Sequence, residues 1–402
     1  MFFDNPAYTW PRGAIIVCIT LGLLNTIFLL NRVNLTWSSP TSTPAPITKA
    51  EPTLDIPNIV ANATLGFESV MVVGLPERSD KRDALSLMAA MTGFKLTWVD
   101  GVLGSSISEK AVPAGWDREK LLDSNLGSWR GHVNAIRRAV EEDLSSVLIL
   151  EDDADWDTHL KSQLADFASA ARTLQDHRGQ ARGESIGDGD DNDDDQNAPL
   201  DPDDDLPPTE SDDSRSASPY GQHWDLLWLG ACITRFSAAR DEAMVLLHDD
   251  ATVARHRHLL QNGSFSWDEY PERTRIAYVP RGDTICTFAY ALSRAGARKA
   301  LLYLGVADQP TTFDFHMSDL CRERHLGMRC VGLVPGLFMH HRPRGRVLGD
   351  SDIIDKGKGK GKGKGGDAVR QVGFTENILY STRLNLQNLV QGLAPEKQWE
   401  DG

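Results

Sequence analysis

Ser146–Leu150 reads SVLIL, and Glu151–Asp157 directly after it reads EDDADWD. A short apolar run bounded by charge is the pattern of a strand covered on both faces of a sheet, as in α/β proteins. The flanking stretches agree. Upstream, FESVMVVGL (Phe67–Leu75) is a second such run, Ser79–Met91 carries apolar residues at helical spacing, FKLTWV (Phe94–Val99) is a strand closed by Asp100-Gly101, and Leu126–Val140 is an amphipathic helix. Downstream, helices are expected over Leu160–His177, Arg294–Leu304 and Asp314–His325. Strands are expected over Trp224–Gly230, Ile276–Pro280 and Thr287–Leu292, and an extended run over Arg329–His340. This alternation predicts an α/β domain with a mostly parallel central sheet.

The 402 residues are 41% hydrophobic, enough to bury a sizeable core in one large domain or two smaller ones. Lys and Arg number 42 against 57 Asp and Glu, but Glu184–Ser214 alone holds 12 Asp, 2 Glu and no cation. The remainder, 42 cationic against 43 acidic residues, has no basic excess for a phosphate backbone, which argues against nucleic acid as a partner. The acidic stretch has almost nothing to bury and reads as a solvated, disordered insert, with weak cation binding as the competing reading. KGKGKGKGKGG (Lys356–Gly366) reads as a second flexible loop.

Gly13–Leu30 (GAIIVCITLGLLNTIFLL) is uncharged between Arg12 and Arg32. At ~1.5 Å per residue it is just long enough for a thin bilayer. The Asn31-Arg32-Val33-Asn34 that follows lacks a small-x-small cleavage pattern, which favours a membrane anchor over a removed signal. Sequons at Asn34, Asn62 and Asn262 face the lumen if the amino terminus is cytosolic. The expected layout is a cytosolic tail (1–12), a transmembrane anchor (13–31), a Ser/Thr/Pro-rich stem (32–64), a nucleotide-binding half (65–178), the acidic insert (179–219), an acceptor half (220–355), the Lys/Gly loop (356–366) and a carboxy-terminal segment (367–402). That is a single-pass type II membrane protein, with the Golgi as expected compartment in the absence of a terminal retention signal. Cys232, Cys286, Cys321 and Cys330 allow two disulfides in three connectivities, or buried unpaired thiols.

Ligands of open α/β sheets bind outside the carboxyl ends of strands, which is where Glu151, Asp152, Asp153 and Asp155 stand. Carboxylates so crowded repel unless a cation or proton lies between them, so the cluster is a candidate Mn²⁺ or Mg²⁺ site holding a diphosphate. The competing reading is a solvated loop in which Asp155 or Asp157 caps the next helix.

At this level the chain resembles glycosyltransferase family 25, in particular fungal membrane-anchored members related to lipopolysaccharide and procollagen galactosyltransferases. The matching pieces are LPERSDKRDAL from Leu75, WVDGV from Trp98, NLGSWRGHVNAIRRA from Asn125, VLILEDDADWD from Val147, Ser293–Ala297 and GDSDI from Gly349. They run in order over about 65–355. The resemblance implies a GT-A-like nucleotide-sugar-binding domain behind a single membrane helix, a divalent metal, and inversion at the anomeric carbon. It also implies transfer of a hexose, with UDP-galactose as the expected donor, to a glycan or glycoprotein hydroxyl.

Carried over residue by residue, Leu75, Arg78, Asp80 and Arg82 resemble the loop beside the nucleotide, and Asp100 the acid facing the nucleoside. Arginines at a βα turn suit a diphosphate, and a carboxylate suits ribose hydroxyls; the alternative is a helix-surface ion pair of Asp80 with Arg78 or Arg82. His132 and Asp152 join this donor-binding set, although Gly131 stands where the family more often has Ser, and His132 reads equally as a packed helix histidine. Glu151, Asp152 and Asp153 resemble the family's acidic motif, with Asp153 the first choice of metal ligand, Glu151 a second and Asp155 an additional candidate. His340 or His341 is a candidate further ligand, only one of the two because neighbours on a strand point to opposite faces. Inversion needs a base for the acceptor hydroxyl, and Asp314 and Asp319 are the candidates, with a structural role at a helix start as the alternative. A membrane-anchored carbohydrate- or protein-binding module that retains the fold without turnover is the alternative function.

Overall fold

In the computed structural model, which describes residues 55–184, 218–237, 243–260, 266–308, 310–347, 352 and 368–400, SVLIL lies inside an eight-stranded sheet. Helices in chain order are α1 (Ile56–Val60), α2 (Ser79–Thr92), α3 (Asp123–Glu141), α4 (Leu160–Glu184), α5 (Arg294–Ala300), α6 (Phe313–Arg322) and α7 (Leu386–Val390). The first five strands are β1 (Ser69–Gly74), β2 (Thr97–Asp100), β3 (Ser146–Glu151), β4 (Ala154–Trp156) and β5 (Leu226–Gly230). Next come β6 (Ile233–Thr234), β7 (Met244–Leu247), β8 (Arg275–Tyr278), β9 (Thr284–Ile285) and β10 (Ala289–Ser293). The last are β11 (Cys330–Val334), β12 (Phe338–Arg342), β13 (Gly345–Arg346), β14 (Val369–Arg370) and β15 (Phe374–Thr375).

Alternation along β1 and β3 explains their unbroken apolar runs. Val70, Val72, Leu148 and Leu150 enter one core with Leu85 and Met88 of α2 and Leu164, Phe167 and Leu174 of α4. Met71, Val73, Val147 and Ile149 enter a second core with Leu126, Trp129, Val133 and Ile136 of α3 and Leu320 of α6. Both faces are therefore dry, and no polar alternation is tolerated. Helix α2 stops where Gly93 takes a left-handed φ of 74° and donates its N–H to Ala89 and Ala90, a backbone geometry that glycine accepts without a Cβ penalty.

The sheet order is β2-β1-β3-β10-β5-β11-β8-β7. The expectation of a mostly parallel sheet is corrected: β1 is parallel to β2 and β3, and β5 to β11, but β10 runs antiparallel to both β3 and β5, and β8 to both β11 and β7. The sheet is mixed. Its direction reverses at β10, so the start of β10 lies beside the end of β3, with Ala289 opposite Leu150. The single extended run expected over Arg329–His340 is two strands, of which β12 leaves the large sheet and pairs with β4 and β15.

Cys232 bonds to Cys286 and Cys321 to Cys330, which selects one of the three connectivities. Among the described residues no helix is long and apolar enough to cross a membrane. The expected anchor, most of the stem, most of the acidic insert, the Lys/Gly loop, Asn34 and Asn262 lie outside the described residues.

Candidate cation site and adjoining cleft

Chain direction places the site. From β1 the chain passes through α2 to β2 on one side, then through α3 to β3 on the other, so the carboxyl ends of β1 and β3 flank a crevice where connections diverge. In register, Gly74 faces Asp100 across β1 and β2, and Val73 faces Glu151 across β1 and β3. A Cβ on Gly74 would stand 2.5 Å from Asp152 Cβ, so only glycine lets the turn after β3 descend onto the end of β1.

Glu151, Asp153 and His340 each offer one ligand atom, and these atoms lie within 4.8 Å of one another. His340 reaches them because β12 pairs with β4, setting His340 opposite Ala154. Its Nε2 is 3.1 Å from Glu151 Oε2 and 3.2 Å from Asp153 Oδ1. One ring N–H cannot satisfy two carboxylates, and Asp153 Oδ1 is buried without a hydrogen-bond donor. A divalent cation between the three atoms removes both the orphaned oxygen and the crowding, so the donor set fits a metal. Burial works against a protonated His340, but Asp153 and Glu151 outweigh it and raise its pKa. Burial likewise works against the Glu151 anion, yet contacts with His132 and His340 hold that carboxyl well below its ordinary value.

Lys81 closes one side. Its Nζ is 2.6 Å from Asp152, 2.7 Å from Asp352 and 3.7 Å from Asp153. Burial disfavours this ammonium, but the charges of Asp153 and Asp152 outweigh it and push the pKa above the ordinary lysine value. Asp152 is raised to about 6 by burial and by the neighbouring Asp153 and Asp352, against the pull of Lys81. Arg78 also binds Asp352 and pairs with Asp80 at 2.8 Å. Arg82 binds Asp100, donates to Gly74 O at 3.2 Å, and lies 4.6 Å over the Trp98 ring. A small cleft, partly open to solvent, is lined by Arg78, Lys81, Asp152, Asp153, His341 and Arg383 among others. Three of its lining side chains, Arg78, Lys81 and Arg383, are cationic, and three, Asp80, Asp152 and Asp153, are acidic.

Several sequence expectations change place. Asp155 is not with the cluster: it is fully buried, its Oδ2 accepts from Ser381 and Thr375, and its Oδ1 accepts from the backbone N–H of Trp156 and Arg383. It clamps the carboxy-terminal segment rather than standing among the cation ligands. His341 points the other way from His340, to Thr375 Oγ1 at 3.0 Å and Asp155 Oδ2 at 3.9 Å, as strand alternation requires. His132 is buried behind Glu151, with Nε2 3.6 Å from Oε1, Nδ1 3.1 Å from Tyr290 Oη, and its ring stacked on Phe313. It touches the acid and not the cleft. Asp80 and Arg78 make the helix-surface pair of the alternative reading, though both still line the cleft. Leu75 follows β1 at the mouth of the same turn.

Both base candidates are engaged elsewhere. Asp314 accepts from Thr312 Oγ1 and from the backbone N–H of Cys286. Asp319 accepts from Tyr303 Oη at 2.8 Å and pairs with Arg322 at 2.7 Å and His325 at 3.3 Å. Asp314 makes its contacts from the first turn of α6, and Asp319 makes its own from later in the same helix. Conversely, Lys81, Asp352 and Thr287, whose Oγ1 donates to Glu151 Oε1 at 2.7 Å, belong to the site without having been singled out for it. Lys81 and Asp352 sat inside quoted motifs, while Thr287 carried no signal. No known family model and no curated protein matches the chain.

Proposed function

We propose that this chain is a metal-dependent inverting glycosyltransferase that moves a hexose from a nucleoside-diphosphate sugar, UDP-galactose by preference, to a glycan or protein hydroxyl. The observation that carries the reading is the convergence of Glu151, Asp153 and His340 at the carboxyl ends of β1 and β3, beside a cleft into which Arg78, Lys81 and Arg383 also bring their cations. Glu151, Asp153 and His340 would hold the ion, and the imidazole favours Mn²⁺ over Mg²⁺, which prefers oxygen ligands alone. When bound, such an ion supplies positive charge against the negative charge of the departing diphosphate.

The chain's own residues supply the rest. Arg78, Lys81 and Arg383 line the cleft as partners for phosphate oxygens. Asp152 and Asp352 hold the Lys81 ammonium in place until those oxygens arrive. Asp100, paired with Arg82 at the end of β2, would accept from ribose hydroxyls. His132 and Thr287 fix one oxygen of Glu151 and leave the other toward His340. Two disulfides agree with an oxidising secretory compartment and with a type II, Golgi-resident enzyme.

Engagement of both α6 carboxylates favours one further reading, a module that binds the donor without transferring it. The two are separated by measuring nucleotide release from a panel of nucleotide sugars with Mn²⁺ and with chelator, alongside calorimetric donor binding. Mn²⁺-dependent release from one donor is expected. Binding without release, with acceptors supplied, would select the module, and absence of both would reject the nucleotide-sugar reading.

A further inference from the structure

Cys286 has a left-handed backbone, φ 69°, which an L side chain seldom adopts without being held there. Three contacts hold it. Its sulfur is bonded to Cys232, its N–H donates to Asp314 Oδ2 at 3.2 Å, and its carbonyl accepts from Trp228 Nε1 at 2.9 Å. The two residues that follow it both touch cation ligands. Thr287 donates to Glu151 Oε1 at 2.7 Å. The Phe288 ring centroid lies 3.6 Å from that of His340, and the Phe288 carbonyl accepts from the Glu151 N–H at 3.1 Å. Phe288 packs in one small core with Met339 and Ile378, against which Cys232 and Cys286 also lie.

We propose that the Cys232–Cys286 disulfide, together with Asp314, is a positioning device for the cation site: by fixing Cys286 it sets Thr287 and Phe288, and through them Glu151 and His340. This rests on the cation-site reading above and deepens it. Releasing Cys286 lets its backbone leave the left-handed region. The Thr287 hydroxyl then leaves Glu151, whose oxygen loses its nearest donor. Loss of such an outer partner typically weakens metal affinity by about 10–100-fold. The Cys321–Cys330 disulfide joins α6 to β11, is bonded to neither Cys286 nor Cys232, and serves as the control.

The test is calorimetric Mn²⁺ titration of the full chain, with a thermal melt on each sample. The variants are Cys232→Ser with Cys286→Ser, Cys321→Ser with Cys330→Ser, Asp314→Ala and Thr287→Val. Mn²⁺ affinity is expected to fall about tenfold or more in the first, third and fourth, and to stay within twofold in the Cys321/Cys330 pair, although both disulfide variants melt earlier. Equal Mn²⁺ affinity in wild type and the Cys232/Cys286 pair would overturn the inference and leave the cation site standing. A wild type that binds no Mn²⁺ would overturn both. Should the Cys232/Cys286 chain fail to fold, Asp314→Ala, which keeps the disulfide, decides by the same criterion.

Discussion

Asp153 and Asp155 stand two residues apart, and the structure gives them opposite consequences. Asp155→Ala removes one fully buried carboxylate and strands the backbone N–H groups of Trp156 and Arg383, 2.8 and 3.1 Å from it, while the Ser381 and Thr375 hydroxyls are free to rotate to other acceptors. At about 1–3 kcal/mol for each buried unsatisfied group, the expected loss is about 4 kcal/mol. For a domain of this size about 2 °C per kcal/mol applies, so the melting temperature should fall by about 8 °C. Mn²⁺ affinity should stay within a few-fold. Asp153→Asn should do the reverse. Glu151 and Asp153 present ligand atoms within 4.8 Å. At an effective dielectric of about 20 two charges that close repel by about 3 kcal/mol, while the attraction lost with Lys81 at 3.7 Å is about 4 kcal/mol, so the metal-free melting temperature should hold or fall by only a few degrees. Mn²⁺ binding should be lost. The assay is differential scanning calorimetry with and without Mn²⁺ on both variants. An Asp155→Ala chain that melts like wild type but no longer binds Mn²⁺ would refute the assignment.

The two adjacent histidines separate in the same way: His340→Ala should abolish Mn²⁺ binding and His341→Ala should preserve it, by calorimetric titration, because only His340 faces Glu151 and Asp153. Gly131→Ser tests whether the serine commoner in the resembling family fits here. A Cβ at Gly131 would stand 2.8 Å from Val73 Cγ1, so chemical denaturation should report a loss of about 1–3 kcal/mol, and a neutral result would mean β1 yields. Asp250, paired with Arg275 at 3.0 Å, has a lowered pKa: burial would raise it, but Arg275 and Thr252 outweigh burial. A depressed carboxyl stabilises fully above its unfolded pKa, about 3.9, and loses that contribution as pH falls through its lower folded value. Below about pH 4, wild-type stability should therefore fall more steeply than that of Asp250→Asn, and parallel pH profiles would refute the pairing.

What was legible in the sequence was whatever local periodicity encodes. The runs at β1, β3 and β5 were readable because both faces of each strand are dry, and α3 because Leu126, Trp129, Val133 and Ile136 share one face. Strand direction was not readable. Apolar residues of β10 look the same whichever way the strand runs, and its antiparallel insertion between β3 and β5 depends on connections that no local pattern specifies. The carboxy-terminal segment was also opaque, since β14 and β15 are two residues each, too short to carry a period. Yet Thr375, Ser381 and Arg383 of that segment decide what Asp155 does.

The acidic motif shows how one turn divides neighbours that sequence treats alike. On a continuous strand Asp153 and Asp155 would share a face, having the same parity. Residues 152 and 153 instead form a turn, and β4 begins afresh at Ala154. The alternation restarts there, so Asp153 stays at the sheet edge while Asp155 enters the interior. Once inside, a carboxylate must find donors, and it finds them on Ser381, 226 residues away, and on Arg383, 228 residues away. The two acids belong to one seven-residue motif, and their roles diverge because the partners brought from the chain's far end distinguish an oxygen left without a donor from one that has two.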